Sequence, residues 1–256
     1  MIDPRAIIHP GAQLGTDVSV GAFSIIGANV SIGPRTQIGP HVVIDGHTRI
    51  GADNTFSPFA SIGGPPQDKK YAGEPTRLEI GDRNVFRESC TVNRGTTHDR
   101  GVTTIGDDNL LMAYAHIAHD CVIGNKIVFA NCASLGGHVQ IGDWVIIGGL
   151  AAIHQFVRIG AHAFLGGQSA LTRDVPPYVM AAGNPTVPHS VNSEGLKRRG
   201  FSPEQIRNIK NAYRIVYRSD LKLADAIVQL APLAAEQPEL QPFLAFIQDS
   251  TRSLVR

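Results

Sequence analysis

Residues 105–171 read, in groups of six, IGDDNL LMAYAH IAHDCV IGNKIV FANCAS LGGHVQ IGDWVI IGGLAA IHQFVR IGAHAF LGGQSA and a closing L. Every group opens on an apolar anchor, from Ile105, Leu111 and Ile117 through Ile153, Ile159 and Leu165 to Leu171. Neither the 3.6-residue period of a helix nor the alternation of a half-buried strand yields that spacing. A six-residue repeat marks a parallel β-helix, in which three repeats close one turn of a prism and the anchors stack inside it. The spacing reaches back through Ile8, Leu14, Val20, Ile26, Ile32, Ile38, Ile44, Ile50, Phe56 and Ile62, and resumes at Ile80, Phe86 and Val92. Glycine often follows the anchor, as at Gly15, Gly33, Gly124 and Gly142, where it is expected to relieve the backbone at the corners.

The rest of the composition suits a narrow prism. Glycine is abundant (27 of 256 residues) and aromatics make up only 6%, which leaves little bulk for a wide core. A formal net charge of +1 offers no global field for nucleic acid or an anionic membrane. Cys90, Cys121 and Cys132 lack zinc-site spacing and close pairing, so they read as wall residues in a reducing compartment. The N-terminus runs into repeat anchors without a basic segment and an apolar stretch, and no run approaches the ~20 apolar residues of a membrane span. A cytoplasmic protein is expected.

The repeats occupy 1–175, with loop insertions near 63–79 and 93–104. Insertions in a solenoid become loops on one face, often the binding face, and the first carries Asp68, Lys69, Lys70, Tyr71 and Glu74. Pro176 and Pro177 are expected to end the strand ladder, leaving 176–256 as a small helical domain that caps the prism. Ser202, Pro203 and Gln205 form a capping box ahead of an apolar stripe at Ile206, Ile209, Ala212, Tyr213, Val216 and Tyr217. Further helices are expected near 222–235, despite Pro232, and near 239–250.

Four histidines, His116, His119, His138 and His154, fall close together in the coil. With a turn of about 18 residues, position 119 stacks under Gly137 and Gln155 on successive turns, and His138 and His154 lie one residue to either side. Such a stack suits general-base catalysis by a neutral imidazole or a three-histidine metal site with an open position. Spacing does not separate the two. Asp120 can orient His119 only at a corner, because neighbouring strand residues point to opposite sides.

The segments PPQDKKYAGEPTRLEIGDRN (65–84), AHIAHDCVIGN (115–125), LGGHVQIG (135–142), AAIHQF (151–156), DVPPY (174–178) and VNSEGLKRRGFS (191–202) resemble the UDP-N-acetylglucosamine acyltransferases of lipid A synthesis. The likeness runs end to end, insertions and tail included. It implies an all-β solenoid with an α tail: a left-handed parallel β-helix and a small C-terminal helical domain. It also implies a homotrimer with active sites in the clefts between prisms. The reaction moves an (R)-3-hydroxyacyl chain from acyl carrier protein to the 3-hydroxyl of UDP-N-acetylglucosamine, with no cofactor.

By the same resemblance, His119 is the general base, Asp120 its supporting carboxylate and the Gly137 N–H the oxyanion donor. His116, His138 and His154 position substrate and Gln155 contacts the nucleotide sugar. Gln67, Asp68 and Lys70 hold the sugar, its diphosphate or the acyl hydroxyl. Asn192, Glu194, Arg198 and Arg199 lie near the nucleotide and the carrier protein. Gly167 sets acyl length; a glycine there leaves the pocket deep where a bulky side chain would shorten it, so the resemblance favours a chain of about 14 carbons. Independently, Lys197, Arg198, Arg199, Arg207, Lys210, Arg214 and Arg218 form a basic stripe broken only by Glu204, suited to an acidic carrier protein. The competing reading on the same coil is a metal-dependent hydratase like the γ-type carbonic anhydrases.

Overall fold

The computed structural model describes residues 1–256. Short strands build three sheets, parallel except at the last strand, and from Ile25–Ile26 to Ala170–Leu171 each strand pairs with the third strand before it, so the chain coils through the sheets in turn. Face one holds nine strands, from Ile7–Ile8 to Ala170–Leu171, and face two holds eight, from Gln13–Leu14 to Arg158–Ile159. Face three holds ten, from Ser19–Val20 to Val187–Val191. The anchors stack in register: Ile117 pairs Leu135, Leu135 pairs Ile153, and Ile153 pairs Leu171. Nearly all are buried, and Phe56 stacks on Phe86 at 4.7 Å inside the coil. Removing these side chains from water is the main favourable term holding the prism together.

The corners are built otherwise than expected. Twenty non-glycine residues take the left-handed region, at the third position after the anchor, among them Asp17 (φ 59°), Arg35 (φ 57°), Asp120 (φ 58°) and His138 (φ 63°). Each coil is stitched to the one below through such residues: the N–H groups of Arg35, His138 and Phe156 donate to the carbonyls of Thr16, His119 and Gly137. The glycines after the anchors answer a different demand. A Cβ on Gly33 would stand 2.5 Å from the carbonyl carbon of Gly51, so glycine is required by the approach of successive coils, not by the turn.

The residue before each left-handed corner has no coil partner for its N–H. Proline fills that place at 34, 40, 58 and 177, where no donor is needed. Along the edge between faces two and three, side chains fill the gap. The N–H groups of Ala52, Asp82, Asp107 and Asn125 donate to Asp82, Asp107, Asn125 and Asp143, at 2.7, 2.8, 2.8 and 2.8 Å. Along the edge between faces one and two, the N–H groups of His119, Gly137 and Gln155 have no such partner.

Both insertions leave from that same edge. One joins Ser61–Gly64 of face one to Arg77–Ile80 of face two, and the other joins Thr91–Asn93 to Val102–Ile105. The register survives both, with Ile50 paired to Ile80 and Ile80 to Ile105.

The sheet runs past Pro176 and Pro177, against expectation. Pro177 sits in a corner ahead of Tyr178 (φ 71°), and face three gains Val179–Ala182 in parallel, then Val187–Val191 antiparallel to it. Helices follow: α1 (Ser193–Arg198), α2 (Pro203–Tyr217), α3 (Leu223–Glu236) and α4 (Gln241–Gln248). The capping box at Ser202 and Gln205 is present, and α2 packs against Val187–Val191. The short α1 was not foreseen; Asn192 caps it by accepting from the Gly195 N–H. No helix is long and apolar enough to cross a membrane.

Candidate active site

A cleft of about 1120 Å³ opens on the edge between faces one and two. Its floor carries His119, Asp120, His138, Gln155 and Phe156, and its walls come from both insertions and from the chain end at Thr251 and Arg252. Gln67, Asp68 and Lys70 line it as the sequence anticipates, and so do Thr96, His98, Asp99, Arg100 and Arg158, which the sequence did not single out. Lys69, Lys70, Arg100, Arg158 and Arg252 outnumber the three aspartates there, a balance that favours an anionic ligand.

The left-handed corner turns Asp120 back onto the histidine beside it. Asp120 Oδ2 lies 2.9 Å from His119 Nδ1, with the carboxylate fully buried and the imidazole 12% exposed. The carboxylate also accepts the Thr96 N–H at 2.9 and 3.0 Å and the Thr96 hydroxyl at 2.7 Å. Burial pushes the Asp120 carboxyl up, but the hydrogen bonds from His119 and Thr96 outweigh it and leave the pKa below the usual value. An ionised Asp120 accepts a hydrogen bond from Nδ1–H, which keeps the proton on Nδ1 and leaves Nε2 of His119 as the bare, basic nitrogen. Gly137 lies directly above: a Cβ there would stand 2.5 Å from His119 Cε1.

The four histidines do not all converge. His138 meets His119 edge-on, with ring centroids 5.0 Å apart. His116, on an outward position of face one, is partly buried, with Nδ1 2.7 Å from the Thr91 hydroxyl; burial and then the charge of His119 lower its pKa. His154 turns its Nδ1 to the Gln155 carbonyl at 3.0 Å, exposed and outside the cleft lining. Within one chain, no three of these imidazoles converge on a shared metal position. The tightest group of ligating atoms is His119, Asp120 and His138, within 4.8 Å of one another. Both Nδ1 atoms there face carboxylates and Thr96 saturates Asp120.

The remaining anticipated residues lie on other edges. Gly167 packs against Gly149 at the edge between faces three and one. Asn192 donates to the His162 carbonyl at the edge between faces two and three, with Glu194 and Arg198 beside it on α1. Arg199 Nη1 donates to His162 Nδ1 at 3.2 Å, and its guanidinium lies 5.1 Å from the Trp144 ring centre. No carboxylate neutralises it, so it offers a held cation. Burial and then the Arg199 charge push the His162 pKa from 6.5 down to about 4. The folded chain thus keeps this ring neutral where the unfolded chain protonates it. That stability is present above pH 6.5 and is lost as pH falls toward 4. Thermal melts at pH 7 and pH 5, read by circular dichroism, are expected to show a smaller drop in Tm for His162→Gln than for wild type.

Comparison with known proteins agrees with this fold. The model for UDP-N-acetylglucosamine O-acyltransferase domain 2 matches residues 174–255, and that for the bacterial transferase hexapeptide (six repeats) matches 103–137. The acyl-[acyl-carrier-protein]–UDP-N-acetylglucosamine O-acyltransferases of Thiobacillus denitrificans and Herminiimonas arsenicoxydans are each 54% identical, over 100% of this chain and 99% of theirs. LpxA from Acinetobacter baumannii superposes with a TM-score of 0.97 at 44% identity, over 100% of this chain and 99% of its own. The Moraxella catarrhalis enzyme gives 0.97 at 46%, with the same coverage. Repeat, insertions and tail are all inside these matches, and the chain belongs to the UDP-N-acetylglucosamine O-acyltransferase family.

Proposed function

We propose that this chain transfers an (R)-3-hydroxyacyl group from acyl carrier protein to the 3-hydroxyl of UDP-N-acetylglucosamine, the first step of lipid A biosynthesis. One observation carries the chemistry: the His119–Asp120 pair beneath the unpartnered N–H of Gly137. Nε2 of His119 takes the proton of the sugar hydroxyl as its oxygen attacks the thioester carbon. The charge that develops on the thioester oxygen is met by the Gly137 N–H. Collapse breaks the carbon–sulfur bond, and the imidazolium returns its proton to the departing thiolate. Asp120 holds the tautomer and stabilises the imidazolium. The hydratase reading has no support among the relatives.

The coil is read as a left-handed parallel β-helix over 1–175, with its insertions near 63–79 and 93–104 and a helical unit over 176–256. The sharing of the site supports a homotrimer. The base and both loops sit on one edge, Gly167 on a second, and Asn192, Glu194, Arg198 and Arg199 on the third. Neighbouring prisms around a three-fold axis set different edges side by side. The edge between faces three and one carries exposed Phe23, Phe59, Tyr114 and Leu150, apolar surface of the kind that marks an interface. On this reading His116 and His154 face the cleft of the assembled trimer.

Lys70 and the cations of the cleft suit the diphosphate, with Gln67, Asp68 and Gln155 on the sugar nucleotide. Arg207, Lys210 and Arg214 stay exposed on α2 and Arg218 just past its end, a surface for the acidic carrier. Gly167 favours a chain of about 14 carbons. The cytoplasm is the proposed location, in keeping with three free thiols.

Mixed oligomers test transfer and sharing together. His119→Ala and Arg199→Ala chains, each impaired alone, are co-expressed and assayed with a 3-hydroxyacyl carrier protein and UDP-N-acetylglucosamine. Clefts built from two copies restore about a quarter of wild-type activity under random mixing. No recovery from folded mixed oligomers would place both residues in one chain's site.

A further inference from the structure

The cleft holds a second histidine–carboxylate pair. His138 Nδ1 lies 2.6 Å from Asp99 Oδ2, with the imidazole 14% and the carboxylate 39% exposed. Asp99 belongs to the second insertion, the same loop whose Thr96 binds Asp120 through backbone and hydroxyl. One loop therefore touches the carboxylate behind His119 and supplies the carboxylate behind His138. The His138 ring is fixed on its other sides, stacked on Phe156 at 4.2 Å and 5° and meeting His119 at 89°. A carboxylate that accepts from Nδ1–H holds the proton on that nitrogen and leaves Nε2 free for a ligand.

We infer that Asp99 is a positioning residue for acyl transfer: through its contact with His138 it fixes the tautomer and ring plane of that histidine, so the loop completes the site instead of bordering it. The inference rests on the function proposed above. Without the carboxylate, His138 keeps its stacking but loses the group that selects which nitrogen carries the proton. Carboxylates that orient metal-bound histidines are typically worth about 10–100-fold in activity, and an effect of that order is expected here. The loop's other anchor, Thr96 on Asp120, does not involve the Asp99 side chain.

The test pairs Asp99→Ala with Asp99→Asn, which keeps an acceptor oxygen for Nδ1. Steady-state transfer and ring-nitrogen NMR of histidine are both read. For Asp99→Ala the expected result is a kcat about 10–100-fold lower, little change in the KM for UDP-N-acetylglucosamine, and a His138 signal moved away from the Nδ1–H tautomer. Asp99→Asn is expected to recover most of both readouts. An unchanged His138 signal in Asp99→Ala overturns the inference, even if kcat falls, because the loss then comes from the loop alone. An unchanged kcat overturns it as well. Absence of transfer by wild type overturns the proposed function and this inference together, whereas an active wild type with an indifferent Asp99→Ala sinks only the inference.

Discussion

His119→Ala is expected to lower acyl transfer by about 10²–10⁴-fold, the usual share of a general base, while circular dichroism and melting stay near wild type. The sugar hydroxyl is a poor nucleophile until its proton leaves, and Nε2 of His119 is the nitrogen the buried pair leaves bare for it. The ring sits at a corner, outside the anchor register, so its removal opens no hole in the prism. Asp120→Asn is a weaker probe of the base alone, because Asp120 also anchors Thr96 and hence the second loop. A folded His119→Ala protein with near wild-type turnover would remove this residue from the chemistry.

Gly137→Ala should approach the same loss by a different route. Its Cβ would stand 2.5 Å from His119 Cε1 and 2.7 Å from Nε2, so the ring must leave the position in which Asp120 holds it. The oxyanion donor shifts with the same backbone. Loss of one such donor costs about 10²–10³-fold in kcat, and a displaced base adds to it. The coil itself should survive, since the contact is with a side chain at a cleft and not with the backbone of the next turn, as it is for Gly33. Kinetics at saturating substrate beside a thermal melt separates the two effects; full activity would show that neither the donor nor the close packing matters.

The prism was legible because each short strand contributes one inward side chain, so the anchors report the coil directly. The approach of His119, Gly137 and His138 followed from the same period, since paired anchors such as Ile117 and Leu135 differ by one turn. What the period cannot report is what leaves it. Thr96, Asp99 and Arg100 lie in a loop that obeys no repeat, so the carboxylate of His138 was invisible. Glycine was misread because a φ angle and a close backbone approach leave the same residue in the sequence. The left-handed corners fall instead on residues as bulky as Phe23 and Trp144. Three consecutive coils also carry Asn54, Asn84 and Asn109 four residues after an anchor. Each bonds to the next coil in a buried ladder that the apolar period does not report. His154 was grouped with the base because it is close in sequence register, yet its ring turns to the Gln155 carbonyl.

The decisive measurement is the product of wild-type protein incubated with UDP-N-acetylglucosamine and 3-hydroxyacyl carrier proteins of about 10, 12 and 14 carbons, chain lengths that an apolar pocket separates by about 1–3 kcal/mol per methylene. Mass spectrometry and NMR identify the acylated atom. The expected result is a 3-O-acyl ester of the sugar nucleotide, formed fastest from the longest donor and absent with His119→Ala. Folded protein that leaves every donor intact, or that hydrolyses the thioester without acylating the sugar, would refute acyl transfer by this chain.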